Sequence, residues 1–187
     1  MIMGITAEPI KIDIGCGSNK RKGFVGVDQL NLPGVDIVCD LAAGRWPWAD
    51  ETVSEAHCSH FIEHLTNLGG KWERVHFFNE LGRVLHHGAK ATLILPHWAS
   101  CLYYGDPTHK EPFSEMGFYY LTRDWRKREA LHTDSSVNPN GYSCDFDFVL
   151  SYSLNEKLAK REPEFKEFAV SWYKEAVLEI HATLTKK

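Results

Sequence analysis

Short apolar runs separated by turn residues organise the first half of the chain. Ile10-Lys11-Ile12-Asp13-Ile14 alternates and stops at Gly15, the pattern of a strand running into a turn. Phe24-Val25-Gly26-Val27-Asp28 and Val35-Asp36-Ile37-Val38 read as a second and a third strand. Glu55-Ala56-His57-Cys58-Ser59 is a weaker fourth, and Ala91-Thr92-Leu93-Ile94-Leu95 a fifth that ends at Pro96. Between these two, Trp72, Val75, Phe78, Leu81 and Leu85 recur at helical spacing, which predicts a helix starting near Asn67 and stopped by Gly88. In the second half, Ser114 to Leu131 suits one or two helices. His132 to Asp145 is polar and carries Asn138-Pro139-Asn140-Gly141, a loop signal. Phe146 to Leu150 reads as a strand, Asn155 to Phe168 as helix up to an interruption at Pro163, and Ala176 to Leu184 as a final strand. Strands alternating with crossovers predict an α/β fold: a Rossmann-like, doubly wound, mostly parallel seven-stranded sheet with helices on both faces. No repeat or linker divides the chain, so residues 1–187 are expected to form a single domain, with 131–170 as a loop and helix elaboration.

Composition narrows the function classes. The chain has 187 residues, 43% hydrophobic and 25% charged, which is ordinary globular composition. With 21 Lys+Arg against 25 Asp+Glu, the formal charge of -4 offers no global attraction for nucleic acid or an anionic membrane. Residues 1–10 lack the basic and apolar regions of a secretion signal. No apolar run approaches the roughly 20 residues that span a bilayer. A cytoplasmic protein is expected. Cys16, Cys39, Cys58, Cys101 and Cys144 are odd in number and form no C-x-x-C pair, so free thiols are expected rather than a zinc knuckle or a disulfide framework.

Three acidic residues close three successive strands. Asp13-Ile14-Gly15-Cys16-Gly17 places a carboxylate and then G-x-G at the tip of the first strand, where open α/β sheets receive ligands. Lys20 stands where a dinucleotide fingerprint needs its third glycine, and only ten residues separate Gly17 from Asp28, which disfavours NAD. Asp28 ends the second strand with two acceptor oxygens suited to ribose hydroxyls. Asp40, in Val38-Cys39-Asp40-Leu41, follows the third and suits an exocyclic amine. With this joint pattern the sequence resembles the class I S-adenosylmethionine-dependent methyltransferases, closest to small, type 11-like members, over roughly residues 10–125. The resemblance implies that Asp13, Gly15, Cys16 and Gly17 receive the methionine part of the cofactor. It further implies that Asp28 and Gln29 bind the ribose, that Asp40 and Leu41 flank the adenine, and that Ser59 and His60 lie beside the methionine end. It also implies an antiparallel final strand. Trp46-Pro47-Trp48-Ala49-Asp50-Glu51 and Asp106-Pro107-Thr108-His109 match further segments of the family. The first crossover, Ser18 to Gly23, departs from it in leaving little room for the usual helix, and the basic run Lys20-Arg21-Lys22 there reads as solvated loop.

The 10 histidines raise metal chemistry, because His60-Phe61-Ile62-Glu63-His64 matches H-x-x-E-H, which on a helix would set two ligands on one face. The same residues fall at the turn out of the fourth strand, and no metal ligand is assigned. His86 and His87 read as the last turn of the long helix, His76 as its exposed side, and His97 as structural. His60 and His109, in strand-end loops, are the expected general bases, with Glu63 and His64 behind them. Trp98, Tyr103, Tyr104, Phe118, Tyr119 and Tyr120 suit either an acceptor pocket or a core. Arg123, Arg126, Lys127 and Arg128 form the one basic cluster, read as a solvated helical face. No Asn-Pro-Pro-Tyr motif follows the fourth strand, which with the charge favours a small-molecule acceptor over nucleic acid. Two alternatives stay open: an S-adenosylmethionine-binding protein without transferase activity, and a metal-dependent hydrolase on His60, Glu63 and His64.

Overall fold

A computed structural model describes residues 9–187; most of the stretch read for a secretion signal, residues 1–8, lies outside them. Seven strands form one sheet: β1 (Ile10–Ile14), β2 (Val25–Asp28), β3 (Ile37–Val38), β4 (Val53–Ser59), β5 (Leu85–Pro96), β6 (Phe146–Leu154) and β7 (Val177–Lys186). Their order is β3-β2-β1-β4-β5-β7-β6. All neighbours are parallel except β7, which runs antiparallel to both β5 and β6. The order reverses between β1 and β4. Strands β2 and β3 extend to one side and β5, β7 and β6 to the other, which opens a crevice beyond the carboxyl ends of β1 and β4. Residues Ile12 to Ile14 of β1 are all buried, as a central parallel strand requires.

The helices are α1 (Glu73–Val84), α2 (Cys101–Tyr104), α3 (Glu115–Tyr119), α4 (Arg123–Glu129), α5 (Glu156–Ala159) and α6 (Pro163–Trp172). The first three crossovers carry none. Pro163 sits in the first turn of α6, so the predicted interruption is a helix start, where a missing N–H costs nothing. No helix among the described residues is long and apolar enough to cross a membrane.

Helix α1 is shorter than its apolar spacing predicts. It begins at Glu73, and Asn67 caps it from across a turn made by Gly69 and Gly70, its Oδ1 accepting from Arg74 N at 3.1 Å. It ends at Val84. Leu85 fits the helical period but is already extended and opens β5. Against β4, Val53 pairs with Leu85 and Glu55 with Lys90, so β5 bulges between them, and Gly88 at φ 78° allows the bulge. His86 and His87 are therefore exposed strand residues rather than a helix end, and His76 is half-buried rather than exposed.

The core gathers on α1. Trp46 lies 5.4 Å from the ring of Phe77, which meets Phe78 at 5.2 Å, both edge-on. The Trp46 indole donates to the Leu41 carbonyl at 3.1 Å, and the Trp46 backbone N–H donates to Glu80 at 2.7 Å. These bonds fold the segment between β3 and β4 down onto α1.

One buried ion pair overturns the reading of the basic cluster. Arg126 is fully buried, with Nε donating to Asp134 at 2.9 Å and its other nitrogens to the carbonyls of Tyr120 and Cys144. Arg123, Lys127 and Arg128 alone form the exposed face. The Arg126 fork thus ties α4 to the loop before β6, whose polar sequence gives no sign of the anchor. Burial pushes the Asp134 carboxyl up, but bonds from Ser136 and Arg126 outweigh it and hold the group at about 2. Asp134→Ala, leaving Arg126 buried without its partner, is expected to destabilise the fold by about 3–5 kcal/mol in urea unfolding. Because the native carboxyl titrates below its unfolded value, the contribution is complete above ordinary carboxylate pH and disappears as pH falls toward 2. An Asp134→Ala protein with parental stability at neutral pH would refute this role.

Candidate functional site at the strand-order reversal

The loop after β1 is stapled to the end of β2. Gly15 N and Cys16 N both donate to the Val27 carbonyl, at 2.9 and 3.2 Å, and Gly17 N donates to Asp28 Oδ2 at 3.0 Å. Gly15 and Gly17 take φ values of 64° and 50°, a region in which side chains are strained. The two glycines differ in what surrounds them. A Cβ on Gly15 would come within 2.6 Å of the Phe61 ring, whereas one on Gly17 would meet nothing within 4 Å. Gly15 therefore serves packing, and Gly17 faces open space.

Asp13 holds this loop to the other half of the sheet. On β1 it lies opposite His57 on β4, which donates from Nδ1 to Oδ1 at 2.7 Å, while Oδ2 accepts from Arg21 N at 2.7 Å. With both oxygens engaged and 4% of its surface exposed, Asp13 acts on the loop rather than on solvent. Burial, with Asp13 and Asp28 nearby, pushes the Cys16 thiol up, so this cysteine is neutral and packs inside the loop. All five cysteines are free.

Asp28 is half-buried and uses one acceptor position on each oxygen, for Gly17 N and for Leu30 N at 2.9 Å. A carboxylate offers about four such positions, so capacity for two further donors remains. Gln29 beside it is exposed. Asp40 is exposed, its Oδ1 accepting from Ala42 N at 2.9 Å. It follows Cys39, whose N–H donates to the Asp28 carbonyl at 2.9 Å, so β3 hands Asp40 to the same rim. Leu41 differs: its side chain is buried in the core.

Across the crevice, β4 ends at Ser59 and the chain turns sharply at His60, whose φ of 53° is left-handed in a non-glycine residue. Such a conformation costs of order 1–3 kcal/mol and persists where packing over-determines it. Here His60 N donates to the Ile94 carbonyl at 2.8 Å, and the turn drives Phe61 beneath Gly15 and Glu63 inward. Only a 3-10 turn, Ile62–His64, follows, so H-x-x-E-H forms no α-helix and His60 and His64 do not share a helical face. His60 is 45% exposed, with Nδ1 3.3 Å from Glu63 and Nε2 3.1 Å from Glu179 on β7. The Glu63 carboxylate, against the cost of burial and helped by Glu179, holds the His60 imidazolium above the usual histidine range.

His109 lies behind this turn, its side chain only 7% exposed, stacked on Tyr103 and donating from Nδ1 to the Tyr103 carbonyl at 2.6 Å. His97 is held on both sides: Nδ1 accepts from Ala99 N at 3.2 Å and Nε2 faces Glu115 at 3.1 Å. The aromatic set divides. Phe118 and Tyr103 are buried, while Trp98, Tyr104 and Tyr119 are exposed.

The residues after β1, β2 and β4 thus converge on one rim, with Asp40 beside them and His109 set back on the β5 side. Sequence reasoning missed His57, Phe61, Glu63's burial and Glu179. His57 alone carried a signal, as a polar residue inside a central strand.

No protein-family model matches the chain, and no curated protein matches it. Solved structures do. A SAM-dependent methyltransferase from Archaeoglobus fulgidus superposes with a TM-score of 0.62 at 18% identity, over 95% of this chain and 85% of that one. A second, from Methanosarcina mazei, gives 0.54 at 17% identity over 96% and 94%. A SAM-dependent methyltransferase described as a possible histamine N-methyltransferase, from Thermotoga maritima, gives 0.55 at 15% identity over 98% and 84%. The chain has the Rossmann-like fold of the class I S-adenosylmethionine-dependent methyltransferases.

Proposed function

We propose that the protein is an S-adenosylmethionine-dependent methyltransferase acting on a small-molecule acceptor, with residues 1–187 as one catalytic domain and 131–170 elaborating its acceptor side. The observation that carries this reading is the pairing, at the strand-order reversal, of an open Gly17 with a half-satisfied Asp28 carboxylate. The chain fits the cofactor there. Asp28 and Gln29 would hold ribose hydroxyls, Asp40 the adenine amine with the Leu41 backbone beside it, and the Asp13–Gly17 loop with Ser59 the methionine part. When bound, the cofactor supplies an activated methyl group on a sulfonium.

The chain's own part is to bind, orient and move a proton. The short connections around Gly15 and Phe61 keep the two sides of the crevice fixed, which favours in-line approach of an acceptor. His60, exposed at the rim, is the proton acceptor for a hydroxyl or amine in its neutral form; the carboxylates beside its two nitrogens favour the imidazolium, so that neutral form is reached at higher pH than for a free histidine. His109, the other expected base, is buried behind Glu63 and acts less directly. A small acceptor agrees with the formal charge of -4 and with the burial of Arg126, which reduces the single basic cluster.

Calorimetric titration with S-adenosylhomocysteine is expected to show one site, weakened about 10- to 100-fold by Asp28→Ala through lost charge-assisted hydrogen bonds. No binding by the parent protein would refute the reading. Once an acceptor is found, His60→Ala is expected to lower kcat by about 100-fold or more, with a far smaller change in cofactor affinity. Full turnover in both His60→Ala and His109→Ala would remove both residues from proton transfer.

A further inference from the structure

Glu63 is 1% exposed, and neither carboxylate oxygen has a hydrogen-bond partner. Leaving an ionised carboxylate buried without donors costs several kcal/mol, so such a group calls for a proton, a cation or a ligand beside it. Its neighbours are imidazoles. His109 Nε2 stands 3.9 Å from Oε1, His60 Nδ1 stands 3.3 Å from it out of hydrogen-bond alignment, and the His64 and His109 rings meet edge-on at 4.9 Å. One ligand atom from each of Glu63, His64 and His109 falls within 4.8 Å of the others.

The outer contacts of the two histidines orient them alike. His109 directs Nδ1 at the Tyr103 carbonyl, 2.6 Å away, and His64 directs Nδ1 at the Thr108 carbonyl, 3.3 Å away. A carbonyl can only accept, so each Nδ1 carries a proton, which leaves Nε2 as the nitrogen able to bind a metal. This is the arrangement by which backbone carbonyls fix metal-binding histidines. Two ligand atoms sharing a tetrahedral zinc ion stand about 3.3 Å apart, so a shift of about half an ångström brings Glu63 and His109 to bonding positions. Asp106, 4.0 Å from His109 Nε2, adds negative charge at the edge.

We propose that Glu63, His64 and His109 bind a divalent transition-metal cation, with Zn²⁺ the best match to two imidazoles and one carboxylate. Three protein ligands leave a fourth position open, the coordination of a catalytic rather than a structural zinc. His60, whose Nδ1 is 3.3 Å from Glu63, borders the cluster on its exposed side. Resting on the methyltransferase reading, the ion would take an acceptor bearing an oxygen donor, such as a hydroxyl or carboxylate, and hold it toward His60. The site differs from the pattern read in the sequence, which paired His60 with His64; the fold replaces His60 by His109, 49 residues further along.

The test is calorimetric titration of Zn²⁺ into the full chain after chelator treatment at neutral pH, with no cofactor present. One stoichiometric site is expected, weakened roughly 100-fold or more in Glu63→Gln and in His109→Ala, and unchanged in His86→Ala on the exposed bulge. Side-chain nitrogen NMR of the unaltered protein supplies a second readout that survives a variant's failure to fold. Zn²⁺ should shift Nε2 of His64 and His109 and leave both Nδ1 atoms protonated. Absence of a stoichiometric site overturns the proposal, as does binding of equal strength in Glu63→Gln and His109→Ala. So does an NMR spectrum in which His109 is a doubly protonated partner of Glu63 that Zn²⁺ does not perturb. Titration of the same metal-free sample with S-adenosylhomocysteine separates the two claims. Cofactor binding without zinc binding removes only the metal site, and the converse removes only the methyltransferase reading.

Discussion

The Asp13 carboxylate is the interaction on which the ligand end of the sheet depends. It accepts from His57 on β4 with one oxygen and from Arg21 in the first crossover with the other. A single group therefore joins the central strand pair to the loop above it. The first crossover carries no helix, so the geometry a helix would impose comes instead from short bonds: two amides on the Val27 carbonyl and one on Asp28. Gly15 completes the joint from the other side by letting Phe61 pack against its backbone. The rim is thus rigid without the usual secondary structure, which pre-organised binding requires.

Buried polar groups separate scaffold from site. Arg126 and Asp134 satisfy one another and three carbonyl or amide partners, and they lock an otherwise polar loop. Glu63 is buried as deeply without a hydrogen bond, its nearest cation the His60 ring at 3.3 Å, while His64 and His109 beside it are held through Nδ1 by backbone carbonyls. The first arrangement spends its hydrogen bonds on the fold. The second leaves them for something that is not part of the chain.

Much of this was legible in the sequence, for a physical reason. Strand ends, G-x-G and strand-closing aspartates are local features, so Asp13, Gly15, Gly17, Asp28 and Asp40 could be placed before any contact was known. The α1–β5 boundary was not, because Leu85 continues the helical period while its backbone is already extended. Arg126 lies in a run of charge whose other members are solvated, and only a partner eight residues on buries it. Glu63 and His109 meet through the turn at His60 and the loop beyond β5, a long-range juxtaposition with no periodic trace.

The central claim is that the Gly15–Gly17 loop and Asp28 together form a nucleoside-sulfonium site at the strand-order reversal. A crystal structure of the protein grown with S-adenosylhomocysteine tests it most directly. The ribose is expected on Asp28, the adenine beside Asp40 and the amino-acid end over Gly17, facing His60. Density for the ligand in any other cleft, or an empty crevice at saturating ligand, would contradict it.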